Sequence, residues 1–441
     1  MASIFNYEKD ILMITTFIEL LALVVLASVI QYNYKIPSPI TLMTIVLGCL
    51  AFDIQLFKLN SVDFDNLVLT TLPLLIAADA LKLKWDDLKT HGMSLFVVAF
   101  IIVLLSIGTG VLVNNYVLVD YPLTIAAVVI LFCMVCATDP ITVSAIFSNF
   151  NVPHKLKVLT EGESLFNDAT ALVVFSIALV ALNKPEQVTM SFITVKTLSV
   201  VFGAVLIGCV LGYITTLALK LSKEPLVEGS IILLFSYLSY LFAEHFHFSG
   251  ILAIICCVVI ANKQIQNIIH QEYVDIETAT KTKNFGLLKY AVTTKENQET
   301  IFKSIEFVSM FASAALFVSI AAIVNFEKLF SYSYEILAVF VVSTIIRGVM
   351  MLKFAFVSNK VERMQKISLR WWSVLTFSGS KGALSILMVH MIPNTFEYKE
   401  LFENIVIGNI LLSTFLYATL LAVIITKNKL KFEQECQEEQ H

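Results

Sequence analysis

The sequence predicts an all-α membrane protein of about thirteen transmembrane helices. Three observations lead to it. The 441-residue chain has a mean hydropathy of +0.83 and only 15% charged residues, too few for a water-soluble domain of that length. Apolar runs approaching the roughly 20 residues that cross a bilayer follow one another almost to the last residues. The segments between them alternate in their content of Lys and Arg, as the enrichment of these residues in cytoplasmic loops requires.

In order, the runs fall near 10–32, 39–52, 66–81, 94–113, 122–148, 159–182, 192–219, 226–243, 248–262, 301–325, 333–352, 370–391 and 402–426. The second and third are short. The first is too long for the apolar part of a cleavable signal and no small-residue cleavage site follows it, so it reads as a span. With the N-terminus outside, the inner segments carry 22 of the 30 basic residues and the outer segments 6. One span more or fewer would scramble that alternation, so the bias also puts the C-terminus in the cytoplasm. The organisation expected is nine spans over 1–262, a cytoplasmic segment 263–300, four spans over 301–426 and a short cytoplasmic tail 427–441. Within 263–300, Ile265, Ile268, Ile269 and Tyr273 recur at helical spacing, which marks part of it as amphipathic. No soluble catalytic domain and no phosphate-binding Gly loop are evident. The chain therefore reads as a non-enzyme whose partners are the lipid bilayer and small ions, not nucleic acid, with no resident cofactor. Six of the seven cysteines lie in apolar runs and imply no disulfide framework. Cys133 and Cys136 have C-x-x-C spacing, but inside an apolar helix, where Cys acts as a small hydrophobe.

The chemistry is carried by charges inside the spans, which are costly there and need partners. Two basic residues, Arg347 and Lys381, fall within spans. So do Asp139, in Ala137-Thr138-Asp139-Pro140, and the acids of Thr160-Glu161-Gly162-Glu163-Ser164-Leu165-Phe166-Asn167-Asp168, while Asp79 ends the third span. At 100° per residue, Glu161, Ser164 and Asp168 share one helix face, and Glu163 and Asn167 share another. The first face reads as an oxygen site for a hard cation, the second as the partner of a buried base, Arg347 being the candidate. Glu161 reads equally as a ligand or as a helix N-terminal acid, and Glu306 as the cap of the tenth span. Gly208 and Gly212 form a G-x-x-x-G that permits close helix packing, a dimer interface being one use of it.

Pro140 breaks the fifth span, and Ser378-Gly379-Ser380-Lys381-Gly382 interrupts the twelfth. Irregular backbone at membrane depth is tolerated around a protein-lined cavity, and paired interruptions at corresponding positions of two repeats mark a transport site. Spans five and twelve are seven apart, which suits two inverted six-helix repeats whose interrupted helices cross near the bilayer midplane.

These elements, in this order over nearly the whole chain, resemble the NhaP-type sodium/proton antiporters of the monovalent cation/proton antiporter superfamily, relatives of animal sodium/proton exchangers. The resemblance implies that Asp168 is the carboxylate shared by cation and proton, and that Asp139, Ser164 and the backbone around Thr138 help hold Na+. It implies a structural ion pair of Glu163 with Arg347 supported by Asn167, one-for-one electroneutral exchange, a homodimer, and a plasma membrane, of bacterial inner-membrane type, as location. Two departures stand out. The acidic residue usual after Leu-Pro in the third span is Ala78 here, with Asp79 beside it as a possible substitute. The usual Arg of Gly-Leu-Arg-Gly is Lys381, which keeps the charge but loses the fork. Other readings are a K+/H+ antiporter of the same mechanism or a cation channel. An intramembrane aspartyl protease fails, because neither Asp139 nor Asp168 lies in the Gly-x-Gly-Asp or Tyr-Asp setting it needs.

Overall fold

The computed structural model describes residues 2–34, 36–52, 61–221, 224–281 and 285–440, and among them there is no β-strand. Its helices are α1 (Ala2–Tyr34), α2 (Ser38–Ala51), α3 (Ser61–Lys82), α4 (Trp85–Phe96), α5 (Ile102–Val117), α6 (Ile125–Cys136), α7 (Pro140–Phe147), α8 (His154–Asn183), α9 (Met190–Leu219) and α10 (Pro225–His245). They continue as α11 (Gly250–Lys281), α12 (Phe285–Ala322), α13 (Phe326–Ser331), α14 (Ser333–Lys360), α15 (Leu369–Phe377), α16 (Ala383–Met391), α17 (Lys399–Leu412), α18 (Ala418–Lys427) and α19 (Lys429–Gln440). Two joins are π turns that keep the axis running: Val97–Ile101 between α4 and α5, and Ser413–Tyr417 between α17 and α18. Among the described residues, eight helical stretches are long and apolar enough to cross a membrane, taking α4 with α5, α6 with α7 and α17 with α18 as one each, and three shorter ones are apolar. Together with α3 and the interrupted pair α15 and α16, they supply helix at every one of the thirteen apolar runs.

The breaks follow from local sequence. Asp139 caps α7, its Oδ1 accepting the Ile141 N–H at 3.2 Å, and Pro140 occupies the first helical position, where its missing donor costs nothing. A residue before Pro is also pushed out of the helical region, so Ala137–Asp139 run extended between α6 and α7. Ser368 caps α15 by accepting the Trp371 N–H at 3.3 Å.

Contacts group the chain into two compact units. The first comprises residues 1–71, 93–188 and 311–441. In it α6 packs on α8, and α5 lies against α6 and α14. The segment that reads as a tail forms α19, with Phe432 fully buried. Glu435 accepts from Arg370 at 2.6 Å and from the Trp371 indole at 2.9 Å, and Glu439 accepts the His154 N–H at the start of α8 at 2.8 Å. Tyr121, before α6, donates to Glu335 at 2.9 Å. Burial and that carboxylate push its phenol up to about 12, so it remains a donor at any physiological pH.

The second unit comprises residues 72–92 and 189–310. Its helices α9, α10 and α11 pack mutually. A Cβ at Gly208 would come 2.5 Å from the Ala253 carbonyl, and one at Gly212 2.9 Å from the Cys257 carbonyl. The G-x-x-x-G therefore serves α9–α11 packing within the chain rather than a contact between copies. The buried Asn262 amide donates to the Leu81 and Leu83 carbonyls at 2.9 and 3.1 Å, fixing the corner between α3 and α4. Backbone helix continues to Lys281 and from Phe285, so Glu306 lies well inside α12 and does not cap it. Lys35, Lys58, Lys223 and Lys283, and the side chains of Ile268, Ile269 and Tyr273, fall outside the described residues.

Candidate functional site

The two interruptions meet. The Asp139 N–H donates to the Ser380 carbonyl at 2.7 Å. A Cβ on Gly382 would press against Asp139, coming 2.9 Å from its Cγ. Gly382 has φ −142°, open to any residue, so it is space that requires glycine there. Gly379 is needed likewise, because its Cβ would come 2.6 Å from Arg347 Cζ.

Helix α8 lies against this crossing with the two faces that its spacing separates. On the first, the Thr138 N–H donates to Asp168 Oδ1 at 3.0 Å. The Thr138 hydroxyl and the Ser164 hydroxyl are 3.0 Å apart, and Ser164 donates to the Thr138 carbonyl at 2.8 Å. Thr138 and Ser164 are buried, while Asp139 and Asp168 are half-buried. The Asp168 carboxylate, two hydroxyls and the Thr138 carbonyl thus meet at one extended backbone segment, with the Asp139 carboxylate at its end. Oxygen donors of this kind suit a hard monovalent cation, and a carboxylate among them can take a proton instead.

On the second face, Arg347 holds Glu163 with both prongs, Nη1 to Oε1 at 3.0 Å and Nη2 to Oε2 at 2.9 Å. Glu163 is 1% exposed. Asn167 donates to the Cys136 carbonyl at 2.9 Å, to the Thr138 hydroxyl at 3.3 Å and to Glu163 at 3.3 Å. It therefore joins the ion pair to the oxygen cluster, a link that spacing alone does not predict. Arg347 has a further role: Nε donates to the Thr376 carbonyl at 3.0 Å and Nη2 to the Leu375 carbonyl at 2.9 Å. Those carbonyls belong to the last turn of α15, where a helix leaves acceptors unmatched. A cavity of about 30 Å³, room for a water, lies beside the pair and is lined by Glu163, Asn167, Arg347, Lys381, Ser106 and Ser343 among others. Lys381, 4% exposed, places its positive charge in the break of the second helix.

Glu161 lies in the third turn of α8, which begins at His154, so it is not a helix N-terminal acid. It accepts from the Ser144 hydroxyl of α7 at 2.9 Å. Asp79 belongs to the second unit, where Lys82 holds it at 2.7 Å.

The family model for the transmembrane sodium/hydrogen exchanger matches residues 20–427. The chain belongs to the sodium/hydrogen exchanger family. This exchanger-family protein is thus a multi-pass membrane protein of a transporter family. It is 26% identical over 414 residues to the Na(+)/H(+) antiporter ApNhaP of Aphanothece halophytica, a match covering 92% of the chain and 72% of that protein. It is 27% identical over 316 residues to sodium/hydrogen exchanger 2 of Oryctolagus cuniculus, covering 70% of the chain and 36% of that longer protein. Its fold matches the sodium proton antiporter MjNhaP1 from Methanocaldococcus jannaschii with a TM-score of 0.71 at 18% identity, covering 94% of the chain and 99% of that structure.

Proposed function

We propose that the chain exchanges Na+ or Li+ for H+ across the membrane, one for one, by alternating access, with cation and proton competing for Asp168. The observation that carries this reading is the half-buried Asp168 carboxylate held against the Thr138 backbone at the crossing of two broken helices. Charge bookkeeping supports the stoichiometry. Glu163 and Arg347 neutralise each other, and Lys381 offsets one of Asp139 and Asp168. One negative charge remains at the crossing, which either one monovalent cation or one proton cancels. The neutral loaded states cross; the empty charged site, costly at membrane depth, does not. Thr138, Ser164 and Asp139 are the further cation ligands in this reading, and the transported ion is substrate, with no resident cofactor required. The homodimer, the plasma membrane and the cytoplasmic C-terminus are part of the proposal, the last supported by the bias of basic residues.

The test is cation-dependent dissipation of a pH gradient in inverted vesicles, with Na+, Li+ and K+ compared. Saturable alkalinisation with Na+ or Li+ and little with K+ is expected. A flux that proceeds without proton movement sinks the exchange reading.

Gly382→Ala gives a sharper check on the geometry. Separating the two breaks by even about 1 Å displaces groups whose placement is worth up to roughly a hundredfold in rate. At least a tenfold loss of exchange is expected, with normal yield of folded protein. Wild-type exchange in that variant would show that contact between the breaks is dispensable.

A further inference from the structure

The π turn Ser413–Tyr417 sits where no apolar pattern marks it; one end bonds to the second break and the other packs on the residue that precedes it. The Lys381 N–H, inside the break, donates to Ser413 Oγ at 3.0 Å, and Ser413 in turn donates to the Ile410 carbonyl at 3.1 Å. Four residues on, the Tyr417 ring lies edge-on to Phe377, the last residue of α15, at 5.7 Å. It also packs on Phe340 at 5.4 Å, and its hydroxyl shares a hydrogen bond of 2.6 Å with Thr344. Ser413 is fully buried and Tyr417 is 1% exposed. Isolated π turns inside long helices concentrate at functional positions, and this one contacts the interruption at Lys381 and the helix end before it at Phe377.

We propose that Ser413 is a positioning residue for the ion site, an inference that rests on the exchange reading above. The path is short, each step a hydrogen bond or a single peptide unit. Ser413 Oγ fixes the Lys381 amide; the preceding peptide carbonyl, that of Ser380, accepts the Asp139 N–H at 2.7 Å; and Thr138, next in the chain, holds Asp168 and Ser164. The break has no helix of its own to set its backbone, so the hydroxyl on a neighbouring span sets it. Remove that acceptor and a buried N–H is orphaned, at a cost that drives the peptide to turn elsewhere. The same peptide unit carries the carbonyl that orients Asp139. Ser413 therefore acts on cation affinity and on the balance between cation and proton without touching either.

The experiment measures exchange by the full chain in inverted vesicles as a function of Na+ concentration and of pH, for the wild type, Ser413→Ala and Tyr417→Phe. Ser413→Ala is expected to raise the apparent KM for Na+ roughly tenfold, the scale of one buried hydrogen bond left unmade, and to move the pH profile, with the maximal rate changed less than threefold. Tyr417→Phe loses only the Thr344 contact and is expected to keep both the KM and the profile. Should Ser413→Ala fail to accumulate, Ser413→Cys, similar in volume and a weak acceptor, is read in the same way. An unchanged KM and pH profile in the Ser413 variant overturns the proposal while exchange by the wild type stands. Absence of exchange in the wild type overturns the reading beneath it as well.

Discussion

Asp168→Asn is expected to abolish cation-driven proton movement while leaving the folded protein intact. The asparagine carbonyl can still accept the Thr138 N–H that Asp168 Oδ1 accepts at 3.0 Å, so the geometry of the crossing survives. The exchangeable charge does not. With one carboxylate removed and the Lys381 charge retained, the site carries no net charge when empty in this reading, so binding a cation no longer competes with binding a proton. A loss of at least about a hundredfold, equivalent to ~2.7 kcal/mol, is expected in Na+-dependent dissipation of a pH gradient, with unchanged thermal stability in detergent. The variant separates this role from a packing role, since an isosteric amide would serve packing equally well. Exchange retained within a few-fold would take Asp168 out of the transport step.

Much of this arrangement is legible in the sequence because the membrane simplifies the code. Apolar runs announce spans, and an ion inside a span is conspicuous. Asp139 followed by Pro140 is both an N-cap and a helix start, so the first break can be read directly. The periodicity of the sixth span separates Ser164 and Asp168 from Glu163 and Asn167, and their hydrogen bonds follow those faces except that Asn167 also reaches the Thr138 hydroxyl. What escapes is whatever depends on the partner rather than on the pattern. Arg347 is readable as an unpaired base, but its grip on the Leu375 and Thr376 carbonyls requires knowing that α15 ends there. Ser413 lies in an unbroken apolar run, and a π turn has no compositional signature. Gly208 and Gly212 permit close approach but do not say to what; the partner is α11 of the same chain. Helix α19 looks like a polar tail because its anchors are few: Phe432, Glu435 and Glu439 among solvated neighbours. Glu161 misleads for a related reason, since the apolar run starts well after the helix does.

Breaking the Glu163–Arg347 pair is expected to produce the largest change in stability. Glu163 is almost wholly buried, and both oxygens are met by the guanidinium, so Glu163→Gln leaves a buried cation without its counter-charge. Losing one partner of such a pair costs about 3–5 kcal/mol. For a chain of this size that amounts to a fall in Tm of about 3–5 °C, together with a lower yield of folded protein. Arg347→Leu is expected to be worse, because it strands Glu163 and also takes the donor from the Thr376 carbonyl at the end of α15, while the Leu375 carbonyl keeps the Ser378 hydroxyl. The combination is the informative case. For many buried pairs, replacing both ions with apolar residues restores stability. Here the double variant Glu163→Leu with Arg347→Leu is expected to stay below the wild type, because the Thr376 carbonyl loses the Arg347 donor and no apolar side chain can replace it. Thermal unfolding in detergent of the two single variants and the double variant decides the matter. Recovery to the wild-type Tm in the double variant would mean that Arg347 serves only to neutralise Glu163, and normal stability with altered cation preference in Glu163→Gln would make Glu163 a ligand instead.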